Sequence, residues 1–172
     1  MPDTFTLIAA ATVGSGGAAT IDFTSIPNTY TDLCLKWSGR SASGSNDVDN
    51  LYVTLNNTTT GYTQKLLYGY STNLAGTETG SSYNFQYVNG GGSTANTFCN
   101  AEMYIPNYAG SANKFYSADM NTINNVVGSV GYALINATRW ANTAAINRIT
   151  LQIAGYNHAQ HSTFYLYGIV KQ

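Results

Sequence analysis

Apolar and polar residues alternate along much of this chain. Ile149, Leu151 and Ile153 take every second place, with Arg148, Thr150 and Gln152 between them. A segment with a period of two has one dry face and one wet face, the signature of a half-buried β-strand. It is flanked by Tyr132-Ala-Leu-Ile-Asn-Ala-Thr and Thr163-Phe-Tyr-Leu-Tyr-Gly-Ile-Val. Residues 132–167 are therefore predicted to run strand, turn, strand, turn, strand, with turns at 140–145 and 155–162.

The same period recurs back to residue 5. An extended segment at 5–13 ends at Gly14-Ser-Gly-Gly17, and Ile21 and Phe23 share a face in the next, 18–26. Pro27-Asn28 is a turn signal, because proline presets φ and asparagine tolerates turn geometry. Residues 32–39 follow, with Leu33, Leu35 and Trp37 on one face and Cys34, Lys36 and Ser38 on the other. A polar loop at 40–50 leads to Leu51, Val53 and Leu55. A turn at 56–61 precedes a weakly alternating extended stretch at 62–70. Residues 71–82 read as a long polar loop, of a length unusual unless it contacts something. Tyr83, Phe85 and Tyr87 then alternate with Asn84 and Gln86. Asn89-Gly-Gly-Gly-Ser93 reads as a flexible turn. Cys99, Ala101, Met103 and Ile105 share a face, opposite Phe98, Asn100, Glu102 and Tyr104. Pro106 to Gly110 turns the chain into a short strand at 114–120 and a polar connection at 121–128.

About ten short strands with turn signals between them predict an all-β fold. No stretch of ten residues keeps a 3.6 period, and residues 142–148 have room for one helical turn at most. A two-sheet antiparallel sandwich of the jelly-roll type is the expected architecture, with an immunoglobulin-like sandwich as the alternative. With 172 residues and no shift of composition, residues 1–172 are expected to form a single domain.

Composition sharpens this picture. Only 9% of the residues are charged, and polarity comes from Thr, Ser, Asn and 17 Gly, with 14 Tyr. The scarcity of Glu, Lys and Arg disfavours helices. The net charge is -1, and the seven basic residues are scattered, so there is no basic field to attract nucleic acid. A low-charge surface suits a protein covered by neighbours in an assembly. The N-terminal stretch has no basic region followed by an apolar core, so no export signal and no membrane span is expected, and assembly in a cytoplasm is. Cys34 and Cys99 lack metal-ligand spacing and are expected to be buried free thiols.

The search for chemistry is short. His158 and His161 share a turn; with no nearby carboxylates to complete a metal site, both are expected to be solvated. Asp47 and Asp49 lie in a loop without the register of a calcium site. Glu78 and Glu102 are isolated acids. The glycine clusters at 14–17 and 89–92 are not followed by Lys-Ser/Thr or a helix, so they read as turns rather than phosphate cradles. Asn56, Asn57 and Asn136 open glycosylation triplets, which mean nothing without a secretory route. No catalytic, cofactor-binding or metal residue is expected, and the chain is read as not an enzyme.

The aromatic residues carry more. Trp37 alternates with leucines and reads as core. Trp140 follows Arg139 and precedes a polar turn, where a buried position is less expected. It reads as an interface anchor, a sugar platform or a half-buried strand end. Tyr83, Phe85 and Tyr87 either line a core or form an exposed aromatic stripe. The segment 1–6, including Phe5 and Thr6, is the part best placed to reach a neighbour, since chain termini are free unless tied down. The interface candidates are Phe5, Thr6, Tyr83, Tyr87 and Trp140.

Several stretches carry a resemblance: Phe5-Thr-Leu-Ile-Ala with Val13-Gly-Ser-Gly-Gly-Ala-Ala; Ile21-Asp-Phe-Thr-Ser-Ile-Pro with Tyr30-Thr-Asp-Leu; Ile105-Pro-Asn-Tyr-Ala-Gly-Ser; Trp140 with Asn142-Thr-Ala-Ala-Ile-Asn-Arg-Ile-Thr-Leu; and Ser162-Thr-Phe-Tyr-Leu-Tyr-Gly-Ile. In these the chain resembles small β-sandwich virion structural proteins of tailed bacteriophages, found in marine and freshwater phages. The resemblance implies a jelly-roll module on the virion surface, without catalytic motifs. It implies a capsid decoration (cement) protein, a homotrimer that binds the major capsid protein and copies of itself at capsomer junctions. Two other readings stand beside it. One is a tail-fibre or receptor-binding module that takes host glycans through Trp140, the tyrosines and the loops at 40–50 and 71–82. The other is a glycan hydrolase using Glu78 or Glu102.

Overall fold

The computed structural model describes residues 4–71, 73–81, 84–124 and 131–170. They form twelve β-strands and, among the described residues, no helix. In chain order these are β1 (Phe5–Thr12), β2 (Thr20–Phe23), β3 (Asp32–Ser38), β4 (Val48–Leu55), β5 (Tyr62–Tyr70), β6 (Asn73–Ser81), β7 (Asn84–Asn89), β8 (Asn100–Ile105), β9 (Lys114–Asn121), β10 (Tyr132–Trp140), β11 (Ile149–Ile153) and β12 (Thr163–Ile169). Among the described residues all pairings between these strands are antiparallel, and Arg40 and Asn89 form one isolated parallel bridge. A large sheet has the order β1-β12-β3-β8-β9-β10-β5-β6, and a small one β2-β11-β4-β7.

Eight of these strands account for the architecture. The group β1-β12-β3-β8 faces β2-β11-β4-β7, and every connection among the eight crosses between sheets except β4 to β7. That is the jelly-roll arrangement. The other four strands are two insertions, β5-β6 and β9-β10, which prolong the large sheet beyond β8. This extension curls past the β7 edge of the small sheet. Tyr62 on β5 reaches across, its hydroxyl taking the Leu55 N–H at 2.8 Å and donating to the Thr58 carbonyl at 3.0 Å.

Parity sets the core, as expected. Leu33, Leu35 and Trp37 face inward, as do Leu51, Val53 and Leu55, and Ile149, Leu151 and Ile153. Cys34 and Cys99 are buried free thiols; burial is the leading cause that pushes them up to about 11 and about 12.

Three expectations change. Residues 73–81, read as loop, form strand β6, because the β5 edge offers a template even to a segment with little strand propensity. The glycine run 90–92 is not flexible. It lies pressed on the 43–47 backbone, where a Cβ at Gly91 would stand 1.4 Å from the Ser43 carbonyl oxygen. Arg40 fastens the same region, its guanidinium donating to the carbonyls of Gly91, Ser93, Thr94 and Thr97 at 2.8–3.1 Å. His158 is fully buried rather than solvated. Its backbone bridges Ala18 and Ser41, and its ring packs edge-on against Phe164. Lys114 is also buried, its ammonium donating to the carbonyls of Gly110, Ala112 and Thr143.

Candidate interaction surface

The outward face of the large sheet is open among the described residues. Register aligns its side chains strand by strand: one row runs Ala10, Tyr165, Lys36, Glu102, Asp119, Ile135, Leu67 and Gly76. Apolar side chains stand at both ends of this face. Phe5 and Leu7 lie on β1, and Phe115, Ile135, Leu67 and Leu74 on the extension; Leu74 is 77% exposed and Ile135 61%. Two hollows mark the extension. One, about 570 Å³, lies between Phe115, Tyr104, Lys65 and Arg139 over Ala137 and Ser117. The other, about 440 Å³, is walled by Leu67, Leu74, Ala133 and Ile135.

Four of the charges on the face form two pairs. Lys36 and Glu102 meet at 2.8 Å, and Lys65 and Glu78 at 3.2 Å. The Glu102 hydrogen bond is the main reason the Lys36 ammonium is held above its usual range. Lys36 also lies 5.9 Å from the centre of the Phe5 ring, a cation–π contact. At a strand spacing near 4.8 Å and a rise near 3.4 Å per residue, eight strands of six to nine residues present roughly 1,000 Å². One side of a standard protein interface covers about 800 Å². The face is therefore large enough to dock a macromolecule.

The site candidates from the sequence scatter. Phe5 is on the face, its ring edge-on to Tyr167 at 6.1 Å, and Thr6 is half-buried; both are held in β1, so they are not a free arm. Tyr83 lies outside the described residues. Tyr87 is half-buried on β7 and stacks on Tyr132 at 4.5 Å, with Tyr70 stacked on Tyr132 at 4.9 Å. Burial raises the Tyr87 and Tyr132 phenols first, and their tyrosine neighbours add to it. Trp140 is buried, 1% exposed, and stacks on Tyr62 at 6.1 Å. It is core and not an anchor: it shares the inward parity of Leu134, Asn136 and Thr138. The residues missed were Leu7, Leu67, Leu74, Phe115 and Ile135. The doublets Leu66-Leu67 and Leu134-Ile135 were a legible signal, since adjacent apolar residues in a strand put one on each face.

The acids and histidines do not converge. Glu78 on β6 and Glu102 on β8 are four strands apart, about 19 Å at the usual strand spacing. A glycosidase pair stands about 5–9.5 Å apart. Asp22 is engaged by Arg148 and Thr150, and the Arg148 hydrogen bond holds its carboxyl below the usual range. Asp32 accepts from the Tyr104 hydroxyl at 2.5 Å and the Asn107 N–H at 2.8 Å. Among the described residues no three of His, Cys, Asp and Glu are grouped to hold a metal ion. No helix among them is long and apolar enough to cross a membrane.

No family model and no curated protein sequence matches the chain. Among solved structures it is similar to the CBM2 module of the evolved Dit of Lactobacillus casei BL23 phage J-1. The TM-score is 0.18 and the identity 10%, over 89% of this chain and 69% of that one. A likeness of that size carries no argument about function.

Proposed function

We propose that this chain is a structural protein of a phage particle, a capsid decoration protein that works by binding alone. One observation carries the reading: an open eight-stranded sheet face with Phe5, Leu7, Leu67, Leu74, Phe115 and Ile135 exposed on it. Exposed apolar side chains grouped on an open face, as Ile135, Leu67 and Leu74 are around one hollow, mark a surface that meets a partner. The paired charges between these residues fix orientation more than they add affinity. The strand and turn motifs in which the chain resembles phage virion proteins support the same reading. On a repeating lattice, weak contacts at several points multiply through effective concentration. The partners are then the major capsid protein and other copies of this chain.

The test is a count. Quantified virion protein should show this chain at a copy number comparable with the capsid protein. A handful of copies per particle would overturn the decoration role. Ile135→Lys or Phe115→Asp should leave the fold intact and strip the protein from purified particles; retention equal to wild type would show that this face is not the contact.

A second reading has its own observation. A cleft of about 430 Å³ is lined by Asn46, Asp47, Asn50, Tyr87 and Tyr132. Amide and carboxylate groups beside aromatic rings suit a sugar, which has hydroxyl edges and an apolar C–H face. Micromolar glycan binding lost on Asn50→Ala would move the protein to receptor recognition.

A further inference from the structure

The eight-stranded sheet has two edges, and they differ. The β1 edge is broken by a bulge between Leu7 and Ala9, a feature that turns an edge away from further pairing. The β6 edge is nine residues long, Asn73–Ser81, and among the described residues no strand pairs with its outer side. It contains no proline and no lysine, and one acid, Glu78, which Lys65 already holds. A long edge without these blocking devices is a template for another strand.

We propose that β6 pairs with β6 of a second copy, antiparallel about a two-fold axis at Thr77, to give an isologous dimer with one continuous sheet. The register is fixed by two independent arguments. First, Thr77 is the midpoint of the strand, so centring there pairs all nine residues and satisfies the most backbone groups. Second, the same register matches large residues to glycines. Leu74 of one copy falls opposite Gly80 of the other, Glu78 opposite Gly76, and Thr77 opposite Thr77, a favourable cross-strand pair. Centring on Glu78 would set two glutamates face to face, and centring on Gly76 would set Leu74 against Glu78. The partner is another copy because the edge is complementary to itself. The dimer does not rest on the virion reading, and it differs from the trimer that the resemblance implies. A trimer would need β6 to meet a different surface, and the bulged β1 edge is a poor one.

The test is solution mass by light scattering and sedimentation, at concentrations up to the high micromolar range. The wild-type chain should be a dimer. Two variants isolate the contact. Thr77→Lys sets like charges opposite each other across the axis. Gly80→Val fills the space that Leu74 of the partner takes, while its new Cβ meets nothing within 4 Å inside its own chain. Both should shift the protein to monomer with circular dichroism and melting of the monomer unchanged. A wild-type monomer throughout this range, a trimer, or a dimer that neither variant disturbs would overturn the proposal. Copy number on particles is a separate measurement, so either proposal can fail alone.

Discussion

The jelly-roll half and the four-strand extension distribute polarity differently, although the first also buries Asp32, Asp49, Gln86 and Asn89 and exposes Phe5 and Leu7 on β1. Between β1-β12-β3-β8 and β2-β11-β4-β7 the covered faces are mostly hydrocarbon: Leu33, Leu35, Leu51, Val53, Ile149, Leu151, Phe164 and Leu166 are all 0% exposed. On β5, β9 and β10 the covered face interleaves Gln64, Lys114, Tyr116, Asn136 and Thr138 with its apolar residues, while Phe115, Leu67 and Ile135 point outward. Burying polar groups weakens a core, and exposing aliphatic ones gains nothing in water. A domain selected for stability alone would not invert the two. The inversion makes sense if the jelly-roll half supplies the folding free energy and the extension supplies a surface for something else.

The largest expected effect lies in the rigid half. At Gly91 a methyl group has no room, and the obstacle is the Ser43 carbonyl rather than a flexible side chain. Gly91→Ala should destabilise by about 4 kcal/mol or more, among the severest single changes, because backbone must move on both loops. Chemical denaturation measures this. A loss below about 1 kcal/mol would show that residues 43–47 and 90–92 are not locked.

Trp140→Ala comes next. Removing a fully buried indole costs about 3–5 kcal/mol. The comparison adds a location to that number. Because Trp140 stacks on Tyr62 across β10 and β5, its loss should loosen the extension first. Native-state hydrogen exchange should show amides of β5, β9 and β10 opening before those of β3, β11 and β12. Uniform loss of protection would mean that the two halves are one cooperative unit.

Asn136 tests the inversion at one side chain. It is buried, and neither end of its amide has a hydrogen-bond partner among the described residues. Asn136→Leu should raise stability by about 1 kcal/mol, since an unpaired buried amide is replaced by hydrocarbon of similar size. Thermal melting decides it. A lower melting temperature would mean the amide is satisfied and the extension is better packed than its composition suggests.

How much of this was legible follows the same division. Strands β3 and β11 could be read residue by residue, because period-two alternation against one solvated face is a local signal. Strand β6 could not. Asn-Leu-Ala-Gly-Thr-Glu-Thr-Gly-Ser has no alternation to read, and it is extended because β5 is there to pair with. Trp140 follows Arg139 and precedes a polar turn, which points to the surface, though its parity with Leu134 already places it inside. For Gly90 to Gly92 a turn was evident, but the clash that demands glycine comes from residues more than forty positions earlier. The outward face was half legible: the doublets predict that something apolar points outward, and only the register shows that Ile135 and Leu67 are cross-strand partners while Phe115 stands further along β9, opposite Arg139.

His158 gives the smallest effect and tests the other half. It sits in the β11–β12 connection, wholly buried, with Nε2 3.2 Å from the Leu151 carbonyl and the ring edge on Phe164. Burial is the main cause that lowers its pKa from the ordinary 6.5, and the Leu151 hydrogen bond opposes it. In the folded protein the ring stays neutral at a pH where the unfolded chain has begun to take up a proton. Between the folded and unfolded values the unfolded state binds more protons, so stability falls as pH falls. The contribution is therefore complete above about pH 6.5, declines below it, and levels off once the folded value is passed. Each unit of separation is worth about 1.4 kcal/mol. Asp22, lowered by Arg148, acts in a separate window: its contribution is lost only as pH falls below the ordinary carboxylate value of 3.8. Denaturation midpoints at pH 7.5 and 5 should differ in the wild-type protein, and much less in His158→Gln. If the variant keeps the full difference, some other group titrates in this range and the buried ring is not what makes the jelly-roll half sensitive to acid.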